Sequence, residues 1–118
     1  MPVKNLMAER VRKYYLKSQD VTCELRTLSE VLRQNRIDRV DLLKIDAERS
    51  EQPILGGLGE GDWPKIRQDV VEVHDGDDAT QAMVELLKRR GFLAAAEPNP
   101  TFSSLSVVYA ARPSTYTQ

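Results

Sequence analysis

The sequence predicts an α/β fold, half of a doubly wound, Rossmann-like sheet in which two parallel strands are followed by an antiparallel pair. Three observations carry this expectation. First, Val40, Leu42, Leu43 and Ile45 read as a buried strand that runs abruptly into the acids Asp46, Glu48 and Glu51. Second, the pattern recurs at Asp69-Val70-Val71-Glu72-Val73-His74-Asp75, and a helical pattern follows it again. Strands alternating with helices indicate a parallel sheet, and in such sheets ligands sit at the carboxyl ends of the strands. Third, the last two apolar runs, Phe92–Ala96 and Leu105–Ala111, are separated only by Glu97–Ser104. That connection is too short for a crossover, so the final pair is antiparallel.

The elements follow in order. Leu6, Met7, Val11, Tyr14 and Tyr15 fit one face of a helix over residues 5–17. Arg10, Arg12, Lys13 and Lys17 line much of the rest, either as a solvated face or as a surface for a partner or phosphate. Ser18–Cys23 is a connector. Thr27 opens a second helix as its cap, and Glu30 three residues later completes a capping box. Leu28, Val31, Leu32 and Ile37 form the stripe this helix buries, and residues 36–39 turn into the strand at 40–45. A short helix over about 50–57 carries Pro53 in its first turn, where the missing N–H does no harm. Gly56, Gly57, Gly59 and Gly61 follow a helix rather than a strand, so they read as a cap and turn and not as a phosphate loop. Trp63 is expected at the edge of the core. The second strand spans 69–74. Ala79–Arg90 then forms an amphipathic helix with Ala82, Met83, Leu86 and Leu87 inward, ended by Gly91. Pro98-Asn99-Pro100 breaks regular structure between the last two strands.

The chain has 118 residues, enough for one domain with one core. A net charge of −1 provides no bulk attraction to nucleic acid or to an anionic membrane. Cys23 is the sole cysteine, so an intrachain disulfide and a thiolate metal cluster are excluded. Met1–Lys17 mixes charges throughout and does not read as a signal peptide; no run is long enough for a membrane helix. The expectation is a cytoplasmic protein. Asp69, Glu72, Asp75, Asp77 and Asp78 form an acidic run without a lysine or arginine between them, read either as a cation or cofactor rim or as a solvated loop and helix start.

The segment Leu42-Leu43-Lys44-Ile45-Asp46-Ala47-Glu48-Arg49-Ser50-Glu51 resembles the LLKID-V-E-(G/K)-(A/S)-E signature of FkbM-type S-adenosylmethionine-dependent methyltransferases. The similarity extends from Leu25 to Arg112. It includes Arg26–Ser29, Asp62–Ile66, Val71–Asp75 and Leu86–Phe92, and is strongest to members found in natural-product biosynthesis. Ala47 and Arg49 depart from the signature. The first half of such an enzyme, with its glycine-rich turn and the acid that holds the ribose, has no counterpart in these 118 residues. The resemblance therefore implies the carboxyl half of a class I methyltransferase fold. In that fold the last strand lies antiparallel between the two before it. It also implies division of the chain into an amino-terminal helix and connector (1–24), the α/β half-domain (25–112) and a flexible tail (113–118).

What the resemblance implies for function is methyl transfer from S-adenosylmethionine to a hydroxyl of a natural product or sugar. The cofactor is expected in the complete enzyme and not on this chain alone. The alternative is a non-catalytic module that serves in dimerisation or interaction. Candidate catalytic residues are Asp46, Glu48 and His74. Asp46 ends one strand, where an acid can meet the acceptor; its structural role would be to cap the next helix. Glu48 follows as either a site residue or an acid favoured at a helix start. His74 ends the neighbouring strand, and an imidazole suits a general base for a hydroxyl. Asp46, Glu48, His74 and Asp75 are also hard donors that would suit magnesium or calcium, although no metal is assigned. Glu72 lies two residues before His74, so strand alternation puts both on one side, where Glu72 needs a partner such as Lys44. The expected partners are a small hydroxyl acceptor and a second copy or the rest of a longer chain, because an apolar strand at 40–45 would otherwise be an open edge.

Overall fold

The computed structural model describes residues 3–113. It contains helices α1 (Val3–Tyr14), α2 (Leu28–Gln34), α3 (Glu51–Gly56) and α4 (Asp77–Arg89), and strands β1 (Leu43–Ile45), β2 (Gln68–Val73), β3 (Leu93–Pro98) and β4 (Ser106–Ala111). One four-stranded sheet runs in the order β1-β2-β4-β3. β1 and β2 are parallel, with Leu43 opposite Asp69 and Ile45 opposite Val71. β4 is antiparallel to both β2 and β3. The mixed α/β expectation and the antiparallel final pair therefore hold.

Strand alternation decides where the core sits. In β2 and β4 every second residue is buried: Asp69, Val71 and Val73 in one, Ser106, Val108 and Ala110 in the other. With Ile45, these apolar residues meet Leu55 of α3 and Met83, Val84 and Leu87 of α4. Each such side chain contributes roughly 1.5–3 kcal/mol by leaving water, which sets the helices firmly on one face. Residues of the opposite phase, Val70, Glu72, Val107 and Tyr109, are half-buried or exposed, because no described helix covers that face.

Local signals are realised where they are self-contained. Thr27 Oγ1 accepts from the Glu30 amide at 3.1 Å and the Glu30 carboxylate accepts from the Thr27 amide at 2.8 Å, so the capping box is formed. Gly91, at φ +90°, ends α4 in the left-handed region. Trp63 is buried, edge-on to Phe92 at 6.5 Å, with the Arg90 guanidinium over its ring. The glycines after α3 serve a close approach. Gly57 O accepts from the Ser29 amide at 3.1 Å, and a Cβ on Gly57 would stand 3.2 Å from Thr27 Cβ.

Three expectations need correction. The strand at 40–45 is shorter, Leu43–Ile45; Val40 makes only an isolated parallel bridge to Ile66, and Leu42 is exposed. The first helix ends at Tyr14, and its apolar stripe is not buried against the described residues: every side chain from residue 5 to residue 27 is exposed. Val31 lies at the edge of the α2 stripe, 36% exposed, so Leu32 alone of that helix is fully inside. Apart from Pro113, the expected flexible tail lies outside the described residues.

Candidate functional site

The site is built at the carboxyl ends of β1 and β2. Beyond Ile45 the chain turns through Asp46–Ser50 before α3 begins; beyond Val73 it turns through His74–Gly76 before α4. Both turns use left-handed backbone. Glu48 and Arg49 have φ +48° and +80°, and Asp75 and Gly76 have φ +74° and +87°. For a residue with a side chain this costs roughly 1–2 kcal/mol, so the geometry is held by its surroundings. One support is visible: Arg49 Nε lies 3.1 Å from Asp75 Oδ1 and ties the two turns together. Arg49 occupies the signature position where Gly or Lys is usual, and its φ explains why glycine suits that position.

These turns bring Asp46, Glu48 and His74 together. One donor atom from each lies within 4.8 Å of the others. His74 Nε2 stands 3.6 Å from Glu48 Oε2, and the ring is mostly enclosed, with 19% of its side chain exposed. The Glu48 side chain is 85% exposed, so it reaches the ring from the solvent side. Asp75, the fourth hard donor considered from the sequence, is engaged instead with Arg49.

His74 lies one residue past β2, and the hydrogen-bond partner of Glu72 is Asp46. The carboxyl group of Glu72 is held above its ordinary range, first by a hydrogen bond with the Asp46 carboxyl, then by desolvation and by the Asp46 charge. His74 and Lys44 oppose that shift. The rim thus sets two hydrogen-bonded carboxyl groups beside an imidazole. An arrangement of this kind can accept a proton from a bound hydroxyl and redistribute the charge.

Glu51, in the sequence only one of the acids that follow the first strand, joins this group. Glu51, the first residue of α3, is only 5% exposed, and its Oε1 lies 3.2 Å from His74 Nδ1. The signal was present in the sequence. Glu51 stands in helical phase with Leu55, which is buried, so an acid occupies a core position. A cleft of about 260 Å³ opens beside this group, lined by Arg49, Glu51, Pro53, His74, Asp75 and Met83. A second hollow, about 310 Å³, lies on the uncovered face of the sheet among Leu42, Val70, Leu93, Ala95 and Tyr109. It is mainly apolar and holds none of the rim residues.

Among the described residues no helix is long and apolar enough to cross a membrane. Comparison with known proteins finds the methyltransferase FkbM domain over residues 5–94, a span that includes most of α1. The chain is 40% identical over 89 residues to 31-O-demethyl-FK506 methyltransferase FkbM of Streptomyces tacrolimicus, covering 75% of this chain and 34% of that protein. It is 40% identical over 82 residues to the AMB antimetabolite synthetase AmbE of Pseudomonas aeruginosa, covering 65% of this chain and 4% of that protein. It is 35% identical over 80 residues to methyltransferase sdnD of Sordaria araneosa, covering 61% of this chain and 31% of that protein. The chain therefore spans about a third or less of these relatives, 34% in the longest case. The family match covers most of the chain, and the chain belongs to the methyltransferase FkbM domain family.

Proposed function

We propose that this chain is the carboxyl-terminal, acceptor-activating half of an S-adenosylmethionine-dependent O-methyltransferase acting on a hydroxyl of a natural product. The observation that carries the reading is the convergence of Asp46, Glu48 and His74 at the ends of two adjacent parallel strands. The sheet order β1-β2-β4-β3, with its last strand antiparallel in the interior, supports the same reading because it is the order the resemblance implies for that half. The name of the Streptomyces relative, a methyltransferase of 31-O-demethyl-FK506, supports an oxygen acceptor.

The residues present do not by themselves fit the methyl donor. Among the described residues no glycine-rich turn joins a strand to a helix before β1, and Gly57 and Gly59, after α3, lie against the start of α2. The role assigned to this chain is therefore confined to the acceptor. His74 Nε2 takes the hydroxyl proton, Asp46 and Glu72 set the charge beside it, and Glu48 closes the rim from the solvent side. Calorimetry of the 118-residue chain with S-adenosylmethionine is expected to show no micromolar binding.

The experiment that tests the reading is a chimera. Residues 5–94 replace the matching segment of the Streptomyces tacrolimicus enzyme, and methyl-labelled S-adenosylmethionine is supplied with 31-O-demethyl-FK506. Label on an acceptor oxygen supports the proposal. A folded chimera that binds the donor and transfers nothing counts against it. A second reading, a non-catalytic interaction module, is favoured by one observation: the sheet face bearing Leu42, Leu93 and Tyr109 is uncovered. The same chimera separates the two.

A further inference from the structure

We propose that Glu51 is the positioning residue of this rim: it holds the His74 imidazole as the Nδ1–H tautomer and leaves Nε2 as the proton-accepting nitrogen that faces Glu48. The inference rests on the reading of the rim as the hydroxyl-activating site, but it stands on separate observations and has a separate test.

The first observation is burial. Glu51 is 5% exposed, in line with Leu55 on the inward side of its helix, where a carboxylate costs free energy unless hydrogen-bonded. The second is what surrounds its oxygens. Oε1 accepts from the Arg49 amide at 3.1 Å and faces His74 Nδ1 at 3.2 Å. Burial alone would raise the carboxyl's pKa, but backbone N–H groups of Glu51 and Arg49 and the His74 ring outweigh it, so the group is held below the usual carboxylate range and is ionised at neutral pH. An ionised carboxylate has no proton to donate. The hydrogen between Glu51 and His74 therefore belongs to Nδ1.

The consequence falls on the other ring nitrogen. With Nδ1 protonated, a neutral imidazole presents a lone pair at Nε2. Nε2 lies 3.6 Å from Glu48 Oε2, and two acceptors at that distance do not bond to each other. A hydroxyl entering there donates its hydrogen to Nε2. On proton transfer the O–H bond breaks, a bond from Nε2 to hydrogen forms, and the electron pair stays on the acceptor oxygen. The ring is then cationic between two carboxylates, Glu51 at Nδ1 and Glu48 at Nε2. A third group that orients a catalytic base in this way is a recurring arrangement in nucleophile activation. Glu51 touches neither the hydroxyl nor the reacting atoms; it acts through His74.

His74 is the sole histidine, so ¹⁵N nuclear magnetic resonance of the 118-residue chain reads its tautomer without assignment ambiguity. The measurement is made on the neutral ring, identified from the same ¹⁵N shifts in a pH series, and without any methyl donor. The wild type is expected as Nδ1–H. Glu51→Gln keeps a carbonyl acceptor and is expected to retain that tautomer, whereas Glu51→Ala is expected to release the ring to the Nε2–H form that predominates in water. If Glu51→Ala does not fold, Glu51→Met, of similar volume and without a strong acceptor, makes the same comparison. Nε2–H in the wild type, or Nδ1–H unchanged in the folded Ala or Met variant, would overturn the proposal. Neither result depends on methyl transfer, so the chimera and this measurement fail separately.

Discussion

Asp69 is fully buried in β2, and neither of its carboxyl oxygens has a hydrogen-bond partner among the described residues. Burial pushes its pKa up to about 7. An aspartate in the unfolded chain titrates near ~3.9, so the folded state holds the proton more tightly. The associated stability is complete below about pH 4, declines as pH rises, and is lost once pH passes about 7. The full loss is on the order of 4 kcal/mol. Asp69→Asn cannot ionise, so the difference in urea-unfolding free energy between variant and wild type is expected to move in the variant's favour from pH 5 to pH 8. A difference that stays constant across that interval would contradict this account. At the same scale, Glu51 shows why part of the site escapes a sequence reading. Its partner His74 lies 23 residues away, and only the fold brings them to hydrogen-bond distance. Its helical phase marked it as buried; nothing in the sequence named what it would hold.

At the level of elements, the parts determined within one turn were legible, and those determined by neighbours were not. The capping box at Thr27 and Glu30 and the Gly91 cap depend on residues within reach of each other, and each reads directly. The break expected from Pro98 begins only at Asn99, because Pro98 still pairs with Ser106 as the last residue of β3. The length of β1 depends on what lies beside it. Its single partner is β2, and Asp41 and Leu42 leave the ladder. The convergence of Asp46, Glu48 and His74 was legible because all three follow strands whose ends share one edge. The Asp46–Glu72 pairing was not, because strand register sets it. One long-range device holds the opposite end of the sheet. Arg112, just past β4, donates to the carbonyls of Ile66, Arg90 and Trp63 at 2.8, 2.8 and 2.7 Å and lies over the Phe92 ring. Arg112→Ala leaves three carbonyls without this donor. A charge-assisted hydrogen bond contributes about 1.5–3 kcal/mol, and water replaces part of it here, so a loss of about 3 kcal/mol in chemical denaturation is expected. A change below about 0.5 kcal/mol, the usual range for a neutral surface substitution, would show that the clamp does not matter.

At the scale of the whole molecule, three features go together: an exposed α1, a β1 edge with one neighbour, and a sheet face on which Leu42, Leu93 and Tyr109 lie open. Exposed apolar surface of this kind marks an interaction site. In the isolated chain we expect a second copy to cover it. Light scattering should give a dimer mass, and Leu93→Lys with Tyr109→Lys should return it to monomer; monomer at every concentration of the wild type would oppose this. The central claim remains that the rim activates an acceptor hydroxyl. Its most direct test is the turnover of the complete enzyme containing this segment, measured together with melting temperature for His74→Ala, Asp46→Asn and Lys13→Ala. Both rim residues stand at strand ends, so folding should be kept, while loss of the general base typically costs on the order of 10²–10⁴-fold in rate. Lys13 lies on the exposed α1 and should leave turnover unchanged. The account predicts the large loss for His74→Ala, a loss for Asp46→Asn, and a folded protein in all three, with melting lowered in His74→Ala because the buried Glu51 loses its ring partner. Normal turnover in both rim variants would contradict it.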